Sequence, residues 1–146
     1  MTTNQLGYGF SLGAAVLWGL IYALSQKALV NFSPVGVQVL SALLAAIFVV
    51  PLAFYDLKGV GEVLNASWVE YGLIVAIVAL AVLANFLSFF SIKAIGATKM
   101  SILEMTYPFF VALFCFWFFR TSLSPMTWVG AVFIFLGTGI VLYFGK

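Results

Sequence analysis

Apolar residues run along this chain in five stretches of about 19 to 26 residues, each long enough to cross a bilayer core of roughly 30 Å as a helix. The pattern predicts spans at Tyr8–Leu29, Val35–Tyr55, Val69–Ala94, Thr98–Phe119 and Met126–Phe144. Helix-start chemistry marks three of them. Ser33-Pro34 and Ser124-Pro125 each place a capping hydroxyl before a proline whose missing N–H costs nothing in a first turn. Ser67 with Glu70 reads as a capping box opening the third span, and Gly96 as the glycine that closes it. The connections are short apart from Asp56–Ala66, which reads as a loop.

Within the spans, the helical repeat gathers polar and small residues onto one side. Ser11, Ala14, Trp18, Tyr22 and Ser25 share a face of the first, with Gln26 close by. Gln38, Ser41 and Ala45 align in the second, and Ala81, Asn85 and Ser88 in the third. In the fourth, Ser101, Glu104, Tyr107, Pro108, Val111 and Cys115 fall opposite Phe109, Phe110, Phe114, Phe116 and Trp117, which read as lipid-facing. In the fifth, Gly130, Gly137, Thr138 and Gly139 supply small surfaces. Gly130 and Gly137 lie two turns apart on one face, a seam for close helix packing against this chain or a second copy.

Composition agrees with membrane residence and removes several function classes. Over 146 residues, 65% are hydrophobic and 7% charged, with a mean hydropathy of +1.22, too little polar surface for a water-soluble globule. The chain reads as an all-α, polytopic membrane helix bundle forming a single domain over residues 1–146. A net charge of +2 without a basic tail argues against nucleic acid as a partner. With no histidine and Cys115 as the only cysteine, an internal disulfide is excluded, and neither a metal nor another cofactor is expected. The first apolar run lacks a basic leader and a small-residue cleavage site, so it reads as a retained helix. Lys27, Lys93, Lys99 and Lys146 fall on one predicted side and Lys58 and Arg120 on the other, a bias small enough to permit insertion both ways.

Glu104 is the candidate centre. An ionisable group in hydrocarbon costs several kcal/mol unless it faces a protein-lined cavity, so an acid inside a span marks a functional site. Pro108 follows one turn later and cannot donate to the Glu104 carbonyl four residues back, so a kink is expected beside the carboxylate. A competing reading makes Ser101 and Glu104 a capping box at a late helix start near the headgroups; Ile102–Phe119 would still cover about 27 Å. Thr98 is an equally good cap, which together with Pro108 favours the cavity reading. Trp18 and Tyr22 could equally be packing or interfacial anchors. Asn85 and Ser88 suit helix–helix adhesion as well as a binding site.

Several motifs together resemble a known family. Leu17-Trp18-Gly19, then Ile92-Lys93-Ala94-Ile95-Gly96-Ala97-Thr98, the central Tyr107-Pro108, and Gly130-Ala131 through Leu136-Gly137-Thr138-Gly139 are similar to an EamA-type repeat of the drug/metabolite transporter superfamily. Such proteins usually carry two five-helix repeats of opposite orientation. The resemblance implies that this chain is one half of an inverted-repeat transporter, completed as an antiparallel homodimer or by a paralogous membrane subunit. It further implies a secondary transporter in the lipid bilayer, an exporter or facilitator working by alternating access on a small-molecule substrate. A prokaryotic plasma (inner) membrane is the expected location.

In this reading, Glu104 binds a proton or a cationic substrate group, Trp18, Tyr22 and Tyr107 hold an apolar or cationic portion of the substrate by stacking, Gln38 and Asn85 orient its polar groups, and Ser88 is a further substrate-binding candidate. An acidic, aromatic pocket leans toward amines, amino acids or organic cations, unless Lys27 or Lys93 reaches inward. No nucleotide-binding loop is present, which leaves proton coupling or passive facilitation. Two alternatives stand beside this reading: a non-transporting subunit of a heteromeric membrane complex, and a lipid-carrier flippase subunit. No enzyme is expected, since Glu104 has no paired acid at membrane depth.

Overall fold

The computed structural model describes residues 3–122 and 124–144. Lys146, one of the cations counted for orientation, lies outside them. The described residues form seven helices and no strand: α1 (Thr3–Asn31), α2 (Pro34–Ala53), α3 (Leu57–Leu64), α4 (Trp68–Ile95), α5 (Ala97–Glu104), α6 (Tyr107–Phe119) and α7 (Pro125–Phe144). Among the described residues, five spans are long and apolar enough to cross a membrane: Leu6–Asn31, Pro34–Ala53, Trp68–Ile95, Ala97–Phe119 and Pro125–Phe144. The chain is an all-α, multi-pass integral membrane protein, with each span within a few residues of its expected limits.

The starts of these helices are made by the residues the sequence singles out. Ser33 Oγ accepts the Gly36 N–H at 3.0 Å, with Pro34 opening α2. Ser67 and Glu70 form a reciprocal box, the Ser67 N–H donating to the Glu70 carboxylate at 2.8 Å and the Glu70 N–H to Ser67 Oγ at 3.4 Å. Ser124 Oγ accepts the Thr127 N–H at 3.3 Å ahead of α7.

Two local expectations fail. The segment after Asp56 is not a loop, because Asp56 accepts the Gly59 N–H at 3.0 Å and caps the eight-residue helix α3. Nor does Thr98 cap the fourth span. The boundary residue is Gly96, with φ 84° and ψ 158°, a conformation that only glycine adopts without strain, and α5 begins at once with Ala97. Thr98 is already inside the helix, so its hydroxyl is not needed as the cap.

The chain divides into two compact units. One comprises α1 as far as Gln26 together with α5, α6 and α7; here α7 packs on α5 and α6. Its interior is made of Ala97 and Met100 from α5, Ala112 from α6, and Ala131 and Thr138 from α7. Small residues dominate because helices in lipid gain by close backbone approach and not by hydrophobic exclusion from one another. The other unit, Lys27–Ala94, buries Leu29, Pro34, Phe89 and Ile92. There the Lys93 ammonium donates to the Phe32 carbonyl at 2.9 Å, just past the end of α1 where helix carbonyls need donors.

Candidate functional site

The fourth span is broken where the sequence puts an acid and a proline. Helix α5 ends at Glu104, Met105 and Thr106 form a turn, and α6 starts at Tyr107 with Pro108 in its first turn. At about 1.5 Å per residue, Glu104 lies about 10 Å from the start of an apolar stretch of about 34 Å. Ser101 does not cap. It sits inside α5 with its hydroxyl on the Thr98 carbonyl at 3.0 Å, so the late-start alternative does not describe this helix.

Hydrogen bonds through the break are rearranged. The Met105 N–H still reaches Ser101 O at 3.1 Å, four residues back. The Thr106 N–H instead bonds Leu103 O at 3.1 Å, only three residues back, and the Phe109 N–H bonds Thr106 O at 3.1 Å. The Thr106 hydroxyl adds a second bond to Leu103 O at 2.8 Å. The carbonyl that Pro108 leaves without its usual donor is that of Glu104, whereas the Thr106 hydroxyl serves the tightened turn at Leu103 O.

Against this broken turn stands one face of α1. The Tyr22 hydroxyl donates a hydrogen bond to the Glu104 carboxylate, and Tyr107 lies close enough to interact electrostatically with Tyr22. Trp18, one turn before Tyr22, places its ring centroid 5.5 Å from the Tyr22 ring at a tilt of 39°. Glu104 and Tyr22 are half-buried, whereas Trp18 and Tyr107 remain open on one side. The result is a carboxylate held by a phenol and flanked by aromatic faces, an arrangement suited to a proton or a cation.

The other residues singled out lie in the second unit. Gln38 on α2 and Asn85 and Ser88 on α4 are half-buried, and the Asn85 amide donates to Ala81 O at 3.0 Å in its own helix. Phe109 departs from the lipid-facing expectation. It meets Trp128 and Phe135 of α7 edge-on at 5.9 and 5.0 Å, on the face of α6 that also carries the buried Ala112 one turn on. Phe110, Phe114, Phe116 and Trp117 do face outward. On α7 the side that packs within the chain carries Ala131 and Thr138. Gly130 and Gly137 point away from it, with no atom within 4 Å of where a side chain would begin.

Three polar residues around α5 carry more than their sequence context suggests. Gln26 Oε1 accepts the Ala97 N–H at 2.6 Å, the Thr106 hydroxyl closes the break, and the Thr138 hydroxyl donates to Ile102 O at 3.3 Å. Gln26 showed itself only as a neighbour of the polar face of α1, and Thr138 as a small residue between two glycines of a family motif. Among the described residues no cluster of histidine, cysteine, aspartate and glutamate could hold a metal ion.

A profile of the EamA-like transporter family matches residues 5–143. Solute carrier family 35 member B1 of Bos taurus is 40% identical over 58 residues, which make up 40% of this chain and 18% of that relative's length. No solved structure matches the chain. A family match over nearly every residue, on five apolar spans with an acid at a broken turn, places the chain in one group: it belongs to the EamA-like transporter family.

Proposed function

We propose that the chain is one repeat of a secondary transporter that moves an amine, an amino acid or an organic cation by alternating access, as an antiparallel homodimer. The observation that carries the reading is the Tyr22–Glu104 hydrogen bond at the break between α5 and α6. A carboxylate at that depth is tolerated when a donor and aromatic faces receive it, and the same groups suit a cationic substrate. Glu104 then exchanges a proton for the cationic group, Tyr22 orients its carboxylate, and Trp18 and Tyr107 contribute ring faces. Lys93 supports the cationic preference, because its ammonium is engaged at the turn after α1 and so is not offered to an anion.

Dimerisation is supported by three features. An odd number of spans inverts the orientation of a second repeat, the charge bias across the membrane is small, and the glycine face of α7 is uncovered within the chain. Proteoliposomes containing only this chain, screened against amines, amino acids and quaternary ammonium ions at two pH values, are expected to accumulate at least one cationic solute. Inert vesicles that become active only when a second membrane protein is added would replace this reading with that of a non-transporting subunit.

A further inference from the structure

We infer that Gln26 and Thr138 are positioning residues, which hold the two ends of helix α5 so that Glu104 meets Tyr22; the inference rests on the role proposed for that pair. Helix α5 has only eight residues, too few to keep a fixed place by its own hydrogen bonds. Its first N–H groups have no acceptor within the helix, and its N-cap, Gly96, has no side chain to supply one. Gln26 supplies it from α1, accepting the Ala97 N–H at 2.6 Å. Tyr22 lies one turn before Gln26, so the face of α1 that fixes the start of α5 also presents the phenol to its end.

The far end is fixed by a different device. In an uninterrupted helix Ile102 O would accept the Thr106 N–H, but the tightened turn gives that N–H to Leu103 O. Thr138 of α7 takes the place of the lost donor, its hydroxyl reaching Ile102 O at 3.3 Å. It is the only buried polar side chain among the described residues, 6% exposed and set between two glycines of α7. A hydroxyl at this depth requires a partner, and the partner here is two residues from Glu104. The two bonds therefore set where along α1, and at what rotation, the carboxylate stands.

Resonance Raman spectroscopy tests this without any substrate, because the tyrosine ring doublet reports hydrogen bonding of the phenol. The wild-type-minus-Tyr22→Phe difference spectrum isolates Tyr22, and Glu104→Gln defines the signature of the lost carboxylate. Thr138→Val and Gln26→Met are each expected to shift the Tyr22 doublet toward the Glu104→Gln signature. Thr138→Ser, which keeps the hydroxyl, and Gln26→Glu, which keeps an acceptor, are expected to leave it in place. Melting in detergent identifies any variant that has lost its fold, and the two positions, at opposite ends of α5, read independently.

Superimposable spectra for wild type, Thr138→Val and Gln26→Met would overturn the inference, as would a Thr138→Ser protein that behaves like Thr138→Val. A Tyr22 doublet indifferent to Glu104→Gln would overturn both the inference and the reading it rests on. If the Raman pattern holds while Glu104→Gln transports like wild type, the positioning stands and only the transport role of Glu104 fails.

Discussion

Replacing Gly96 with alanine isolates the backbone geometry that launches the acid-bearing helix. At φ 84° and ψ 158° the residue occupies a region that is almost exclusively glycine's, and holding another residue there costs about 1–3 kcal/mol. Crowding adds little, since an added methyl would meet Gln26 Oε1 at 3.5 Å, an ordinary contact. Alanine recovers about 0.4–1 kcal/mol by restricting the unfolded chain. With the middle of each range, a net loss of about 1.3 kcal/mol follows, or roughly ninefold in the ratio of folded to unfolded protein. Denaturant titration in mixed micelles, read by helix signal, measures it. Gly139→Ala serves as the control, because it lies inside α7 with open space around it and carries no positive φ. A Gly96→Ala protein as stable as wild type would refute the assignment of Gly96 as the strained joint between α4 and α5.

Other outcomes follow from the same contacts. Tyr22→Phe removes a hydrogen bond to a charged group worth about 1.5–3 kcal/mol, so the KM for a cationic solute should rise by about tenfold or more, measured by initial rates in proteoliposomes. Lys93→Met should lower stability by no more than about 1 kcal/mol and leave that KM unchanged, since the ammonium serves the turn after α1. Ser67→Ala should cost about 1 kcal/mol in denaturant titration through the lost box at α4. A cysteine at Ser122, in a chain with Cys115 replaced, should be labelled from both faces of the membrane if insertion is dual. Leucine at both Gly130 and Gly137 should abolish dimer cross-linking while leaving the melting of the monomer intact.

The spans were legible because lipid imposes one simple demand, a long apolar helix, and the serine–proline and serine–glutamate starts state where three of the five begin. Helix α3 was not. Gly59, Gly61, Lys58 and Glu62 have the composition of a loop, and only the Asp56 cap with Leu57, Val60 and Leu64 on one side reveals the helix. The site was half legible. Pro108 points back to Glu104, and the polar face of α1 points to Tyr22, but neither states that the two meet. Gln26 and Thr138 were hidden for a physical reason: their acceptor and donor roles arise only once the helix has broken and left backbone groups without their usual partners. Phe109 shows another limit, since a large apolar ring suits lipid and a packed face equally, and only the position of α7 beside it decides.

The central claim is that Glu104 is the membrane-embedded acid through which the chain binds its proton or cation. Uptake of the cationic solute identified by the reconstituted screen, measured across a pH series for wild type and Glu104→Gln, tests it most directly. The account predicts pH-dependent flux in wild type and weak, pH-independent flux in Glu104→Gln, with the variant still folded. Wild-type flux and pH dependence in Glu104→Gln would contradict it.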